Sequence, residues 1–147
     1  MIPELNPRQR AWVEVSPAAI RANARALCQH LGPRTQLMAV VKADGYGHGA
    51  ETVARAALQG GATSLGVATL QEGLELRRAG LEAPVLLLSN LNEPDDLRTC
   101  LHWRLMPTLS SLRDAQLCNA LAADSGRCFD VQLKIDTGMA RLGCSLS

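Results

Sequence analysis

The stretch LMAVVKADGYGHGAETVARAALQ, residues 37–59, decides the fold class. It opens on an unbroken apolar run at 37–41, breaks on glycines at 45, 47 and 49, and resumes as a helical pattern over roughly 50–59. A strand that is apolar throughout is buried on both faces, the habit of parallel sheets covered by helices. The same alternation recurs outward from it. Apolar runs of strand length stand at 65–68, 85–88, 105–109 and 131–135, the last followed by the turn signal Asp136-Thr137-Gly138. Helix starts lie between them. Thr69 with Glu72 three residues on reads as a capping box, Asn92-Glu93-Pro94-Asp95 has helix-start composition, and Ser111 with Asp114 makes the next cap. Upstream, Ser16-Pro17 supplies an N-cap hydroxyl and a preset first turn, and Ile20, Ala24, Leu27 and Leu31 keep helical spacing until Gly32-Pro33. A strand at 12–15 is expected to lead in, dividing the chain into a lead-in at 1–15 and a βα body at 16–147. Five strands separated by helices predict an α/β parallel sheet, either doubly wound or part of a (β/α)8 barrel. A whole barrel takes ~250 residues, well beyond this chain's 147.

Composition narrows the function classes. With 47% hydrophobic and 20% charged residues and a formal net charge of +1, the chain is globular and lacks the basic excess of a nucleic-acid or membrane-surface binder. No apolar run approaches the ~20 residues of a membrane span. The opening MIPELNPRQR has no apolar signal core, so a cytoplasmic protein is expected. The five cysteines are odd in number and form no CxxC pair, which reads as reduced, mostly buried thiols without a zinc site. No His/Cys/Asp grouping has metal-ligand spacing, and no metal is expected.

Of 15 basic side chains only two are lysines, Lys42 and Lys134. Lys42 stands at the end of the first sheet strand, where parallel α/β folds place their ligands. A lysine leaving an apolar strand is partly desolvated, which favours the free amine that nucleophilic chemistry needs. The following glycines allow left-handed backbone, and their amides with the next helix N-terminus suit an anion such as phosphate. Tyr46, the single tyrosine, puts a hydroxyl in that loop. The segment matches neither common phosphate-loop pattern. His48 neighbours the loop, His30 and His102 lie on helical stretches, Cys144 reads as a passive thiol, and Asp136 as a turn cap.

AVVKADGYGHG at 39–49 resembles the pyridoxal-phosphate attachment motif of alanine racemases, and LKIDTGMARLG at 133–143 resembles that family's second motif, in the same order and at a similar separation. The segment from Val13 to Leu27 is similar to the family's opening strand and helix. The resemblance implies a partial (β/α)8 TIM-type barrel of about five βα units, without the family's C-terminal β domain. It implies that Lys42 joins pyridoxal 5'-phosphate through a Schiff base and acts as one catalytic base, and that Tyr46 binds the cofactor phosphate. It further implies that Arg141 meets the cofactor's phenolic oxygen and the substrate carboxylate, that Met139 lines the substrate site, and that Lys134 stands where many members carry a carbamate. Gly45 occupies a place where the family often has Ala, and Ala140 one where it often has Gly.

The implied activity is interconversion of L- and D-alanine, which supplies D-alanine for peptidoglycan. In the family the second catalytic face comes from a tyrosine of the partner subunit's C-terminal domain, so a homodimer is expected of the full-length protein and the 147-residue chain is expected to be inactive alone. The alternatives are a non-catalytic cofactor-binding module, or another amino-acid racemase or decarboxylase built on the same barrel.

Overall fold

The computed structural model describes residues 11–145. Its elements run α1 (Pro17–Leu31), β1 (Met38–Val40), α2 (Lys42–Gly47), α3 (Ala50–Gln59), β2 (Ser64–Val67), α4 (Leu70–Arg78), β3 (Val85–Asn90), α5 (Pro94–Trp103), β4 (Met106–Leu109), α6 (Leu112–Ser125) and β5 (Gln132–Leu133). The strands form one sheet in the order β1-β2-β3-β4-β5, and every pairing is parallel. A doubly wound sheet reverses strand order at a switch point, whereas a (β/α)8 barrel adds each strand beside its predecessor. The unbroken sequential order is therefore that of a barrel segment.

The expected caps form as written in the sequence. Ser16 Oγ accepts the N–H of Ala19 at 3.3 Å, with Pro17 in the first turn. Thr69 and Glu72 close a reciprocal capping box on α4, and Ser111 Oγ accepts the N–H of Asp114 at 3.2 Å. Each such cap contributes about 1 kcal/mol to its helix. Leu65, Val67, Val85 and Leu87 carry the sheet's share of the core, against Leu74, Leu76, Cys100 and Leu105. Ala24 docks α1 onto Ala57 and Ala62. No helix among the described residues is long and apolar enough to cross a membrane.

Two expectations need correction. Residues 12–15 take no regular secondary structure, and Trp12 and Val13 are 64% and 79% exposed. Their apolar alternation has no strand beside it among the described residues, and a strand exists only where it pairs. The fifth strand is two residues long instead of the five at 131–135; it pairs with β4 alone, and Val131 and Leu133 are exposed.

The five cysteines are free thiols, but only Cys100 and Cys118 are buried; Cys28 and Cys144 are half-buried and Cys128 is exposed. Burial, and secondarily the charge of Asp96, pushes the Cys100 thiol up to about 12. Burial followed by Asp114 raises Cys118. Since the thiolate is the reactive form, iodoacetamide at neutral pH should alkylate Cys128 promptly and Cys100 only as the chain unfolds. Peptide mass spectrometry of a time course checks this, and native-state labelling of Cys100 alongside Cys128 contradicts it.

Candidate active site at the carboxyl end of the sheet

Val41, fully buried, makes the last rung between β1 and β2 by donating its N–H to the carbonyl of Gly66 at 2.8 Å. Lys42 follows, half-buried, at the carboxyl end of β1. The chain then does something that L residues resist. Ala43, Asp44, Gly45 and Tyr46 adopt φ/ψ of 51/50°, 51/49°, 61/35° and 55/39°, a complete turn in the left-handed region. For a residue with a Cβ this costs roughly 1–2 kcal/mol. Three of the four residues bear that cost, and glycine relieves it only at Gly45. A methyl group at Gly45 would lie 3.0 Å from Val53 Cγ2 and 3.3 Å from the backbone of Ala50, so the alanine common at this place would press α3 outward.

Hydrogen bonds hold the turn against its strain. The N–H of Gly45 donates to the carbonyl of Val41 at 2.9 Å, and that of Gly49 to the carbonyl of Asp44 at 2.9 Å. His48 Nδ1 lies 3.1 Å from the carbonyl of Gly45 and 3.0 Å from that of Tyr46, donating its proton to them. Asp44 Oδ1 accepts the N–H of Ala50 at 2.8 Å. At the start of α3, one of the amides that the sequence offers to an anion is thus taken by the chain's own carboxylate. Tyr46 is exposed on the turn.

The second cluster leaves β5. Lys134 donates its N–H to the carbonyl of Leu109 at 2.8 Å and accepts from the N–H of Cys144 at 2.8 Å; Asp136 donates to the carbonyl of Cys144 at 2.9 Å. These bonds pinch residues 136–143 into a closed loop. Inside it, Asp136 Oδ1 accepts the N–H of Gly138 at 2.9 Å and of Ala140 at 3.1 Å, the capping role expected of it. Met139 and Arg141 stand exposed on this loop, and Lys134 is half-buried at its base. Ala140 has φ 55°, so the methyl in place of the family's frequent glycine sits in left-handed backbone. The thiol of Cys144 donates to the carbonyl of Ser110 at 2.9 Å, tying the loop to the end of β4.

The amide of Gly138, then that of Ala140, then that of Met139, hold the Asp136 carboxyl below its ordinary value. A folded-state value below the unfolded one means these bonds contribute fully above the unfolded value, ~3.9, and are lost only as pH falls through the lower folded value. An NMR titration of the Asp136 side-chain carbon should therefore show a midpoint below ~3.9. A midpoint at or above that value contradicts the loop geometry.

Between the two clusters, the strand ends are laced together by hydroxyls. Ser89 Oγ donates to the carbonyl of Ala68, Ser110 Oγ to Asn90 Oδ1 at 2.8 Å, and Thr108 Oγ1 to the carbonyl of Leu87 at 2.6 Å. Sequence reasoning passed over these residues; the signal was a hydroxyl at or just past the end of successive apolar runs. All strands are parallel, so Lys42, Tyr46, Lys134, Met139 and Arg141 share the carboxyl end of the sheet, but they leave its two edge strands. Four strand spacings, about 19 Å along the sheet, separate those exits, a span that closure into a barrel would turn into opposite sides of one mouth. A half-buried primary amine, a phenol and a guanidinium on one rim suit a ligand carrying both a carbonyl carbon and an anionic group.

Known proteins share this sequence and fold. Residues 15–147 match the family model described as alanine racemase, N-terminal domain. An alanine racemase of Prochlorococcus marinus is 64% identical over 143 residues, covering 97% of this chain and 37% of that protein. The crystal structure of an alanine racemase from E. faecalis superposes with a TM-score of 0.83 at 39% identity, over 88% of this chain and 35% of that one. A histidine racemase from Leuconostoc mesenteroides superposes at 0.82 with 28% identity, covering 95% of this chain and 37% of that one. The chain thus spans a little over a third of the length of the relatives it matches. With the family match running from Val15 through the last residue, and both lysine-bearing segments at the carboxyl end of a sequentially ordered parallel sheet, the chain belongs to the alanine racemase N-terminal domain family.

Proposed function

We propose that this chain is the amine-bearing part of a cytoplasmic pyridoxal 5'-phosphate enzyme that interconverts L- and D-alanine and so supplies D-alanine for peptidoglycan. The observation that carries the reading is Lys42, half-buried at the end of β1 and followed at once by four left-handed residues. Backbone strain of this kind persists only where the surroundings over-determine it, and it gathers at sites with a task.

Bound pyridoxal phosphate supplies an electron sink adjoining the substrate Cα. The residues do the rest. Lys42 would hold the cofactor through its aldehyde carbon and, once the substrate's amine had displaced it there, would take and return a proton at the substrate Cα on one face. Tyr46 would donate its hydroxyl to the phosphate. Arg141 would offer its guanidinium to the phenolic oxygen and the substrate carboxylate, oriented by Lys134 where that residue carries a carbamate, and Met139 would line the substrate side. Residues 16–147 form this unit, with 1–15 as its lead-in.

Racemisation needs an acid–base group on the opposite face as well. Tyr46 sits on the turn of Lys42, on the same side as the first base, and the second group is proposed, as the family resemblance implies, to be a tyrosine of the partner subunit in a homodimer. The 147-residue chain alone is then expected to bind the cofactor without racemising alanine. A racemase for a larger amino acid is the second reading, favoured by the fold shared with a histidine racemase.

With two lysines in the chain, the test is nearly binary. Incubation with pyridoxal phosphate, borohydride reduction and peptide mass spectrometry should find the pyridoxyl group on Lys42, and Lys42→Ala should remove it. Modification confined to Lys134 or the N-terminal amine, or none at all, overturns the assignment.

A further inference from the structure

Glu72 makes more bonds than its helix requires. In a capping box the acidic residue receives one N–H from the N-cap residue, as Glu72 Oε2 does from Thr69 at 3.1 Å. The same oxygen also accepts the N–H of Ala68 at 2.7 Å. The other oxygen, Oε1, reaches 29 residues back along the chain to the N–H of Ala43 at 2.7 Å. Ala43 directly follows Lys42 and is the first residue of the left-handed turn. The carboxylate is therefore a strut between the exits of β1 and β2, and helix capping alone gives no reason for its second arm.

The consequence falls on Lys42. On one side its backbone is fixed by Val41, whose N–H meets the carbonyl of Gly66 at 2.8 Å. On the other it is fixed by Ala43 through Glu72. The Cα that carries the amine is thus pinned between two anchors on β2 and α4. Once the ladder ends, an N–H in left-handed backbone finds no strand partner, so the carboxylate is what holds the turn to its neighbour. Resting on the assignment of Lys42 as the cofactor-anchoring amine, we infer that Glu72 is a positioning residue for it. Its carboxylate fixes the start of the left-handed turn and so aims the lysine into the mouth of the sheet.

The conservative variant isolates the arm in question. A glutamine has one acceptor oxygen and one amino group. Ala68 and Thr69 together offer two N–H bonds and Ala43 offers one, so the oxygen of Glu72→Gln stays with the pair and its amino group confronts the N–H of Ala43. Glu72→Asp, one methylene short of Ala43, is the second variant and keeps the negative charge near the helix start. Thr69→Ala is the control: it weakens α4 by removing the hydroxyl that accepts the N–H of Glu72 at 3.2 Å, while leaving all the carboxylate bonds in place.

Two measurements on the whole chain decide the matter. Amide hydrogen exchange without cofactor should show Ala43 exchanging roughly tenfold faster or more in both Glu72 variants, with Leu65 in β2 unchanged, and Ala43 unchanged in Thr69→Ala. Borohydride-trapped labelling by pyridoxal phosphate, scored as the ratio of Lys42 to Lys134 in the same molecules, should fall about tenfold in the Glu72 variants and hold in Thr69→Ala. If the wild type labels at Lys42 and the Glu72 variants keep its ratio, this proposal fails alone. If Thr69→Ala lowers the ratio equally, Glu72 is only a helix cap and the proposal fails. If the wild type never labels at Lys42, the functional assignment falls and takes the positioning role with it.

Discussion

Arg77→Ala should destabilise the chain by about 1–3 kcal/mol, a sizeable part of the 5–15 kcal/mol typical of a small domain. Arg77 lies in the last turn of α4 and turns its guanidinium onto four carbonyls. Nε donates to Trp103 at 2.9 Å, Nη1 to Leu81 at 2.7 Å and Ala83 at 2.8 Å, and Nη2 to Arg104 at 2.8 Å. Two of these carbonyls lie in the approach to β3 and two in the approach to β4. One planar fork thus gathers two loops that have no direct ladder of their own. Burial, and then the nearby charge of Arg104, pull the Arg77 value down from its ordinary level, yet a guanidinium remains charged. Removing it leaves part-buried carbonyls without their donor, which is the costly half of deleting a hydrogen bond. Arg77→Lys should recover only a fraction, because an ammonium concentrates its donors at one point and cannot span the fork. Urea unfolding followed by circular dichroism measures both variants. A loss under about 1 kcal/mol for Arg77→Ala would place the guanidinium among ordinary surface contacts.

Gly143→Ala should open the second cluster while sparing the sheet. Gly143 has φ 118°, and a Cβ there would lie 2.7 Å from the N of Asp136, 2.9 Å from the carbonyl carbon of Ile135 and 3.2 Å from the oxygen of Lys134. All three atoms are backbone, so no rotamer change makes room. The clash falls on the bonds that close the loop, those between Cys144 and both Lys134 and Asp136. The expected result is loss of amide protection at Cys144 and Asp136 and destabilisation of about 2–4 kcal/mol. Protection in β2 and β3 should persist. Wild-type exchange at Cys144 in the variant would mean that the loop closes by some other route.

How far the sequence foretold this depends on the kind of feature. β2, β3 and β4 were legible because each is an apolar run whose burial requires a parallel sheet, whereas the run that became β1 pairs as expected but leaves Val40 exposed at the sheet edge. The caps were legible because Ser16, Thr69 and Ser111 sit a fixed number of residues from the amides they take. The lead-in strand failed because pairing is not a local property: residues 12–15 have strand-like composition but no strand beside them among the described residues. The same cause shortened β5. The lysines, Tyr46, Met139 and Arg141 were legible as members of two motifs, and their shared rim followed from parallel topology.

The left-handed turn was only half legible. Three glycines advertised it, but Ala43, Asp44 and Tyr46 enter that region against their own preference, and what holds them there comes from elsewhere. Glu72 looked like half of a capping box because its second arm spans 29 residues of sequence. Arg77 was hidden among many arginines, since nothing local marks which one turns inward.

The segment from Ala43 to Tyr46 has the twist that residues of the opposite chirality would take up unaided. A chemist assembling this peptide would choose D-amino acids at 43, 44 and 46. A ribosome has no such choice and must rely on struts placed around the segment. The handedness of the lysine's platform is thus a property of the assembled molecule, and a peptide cut out with only this segment would not keep it.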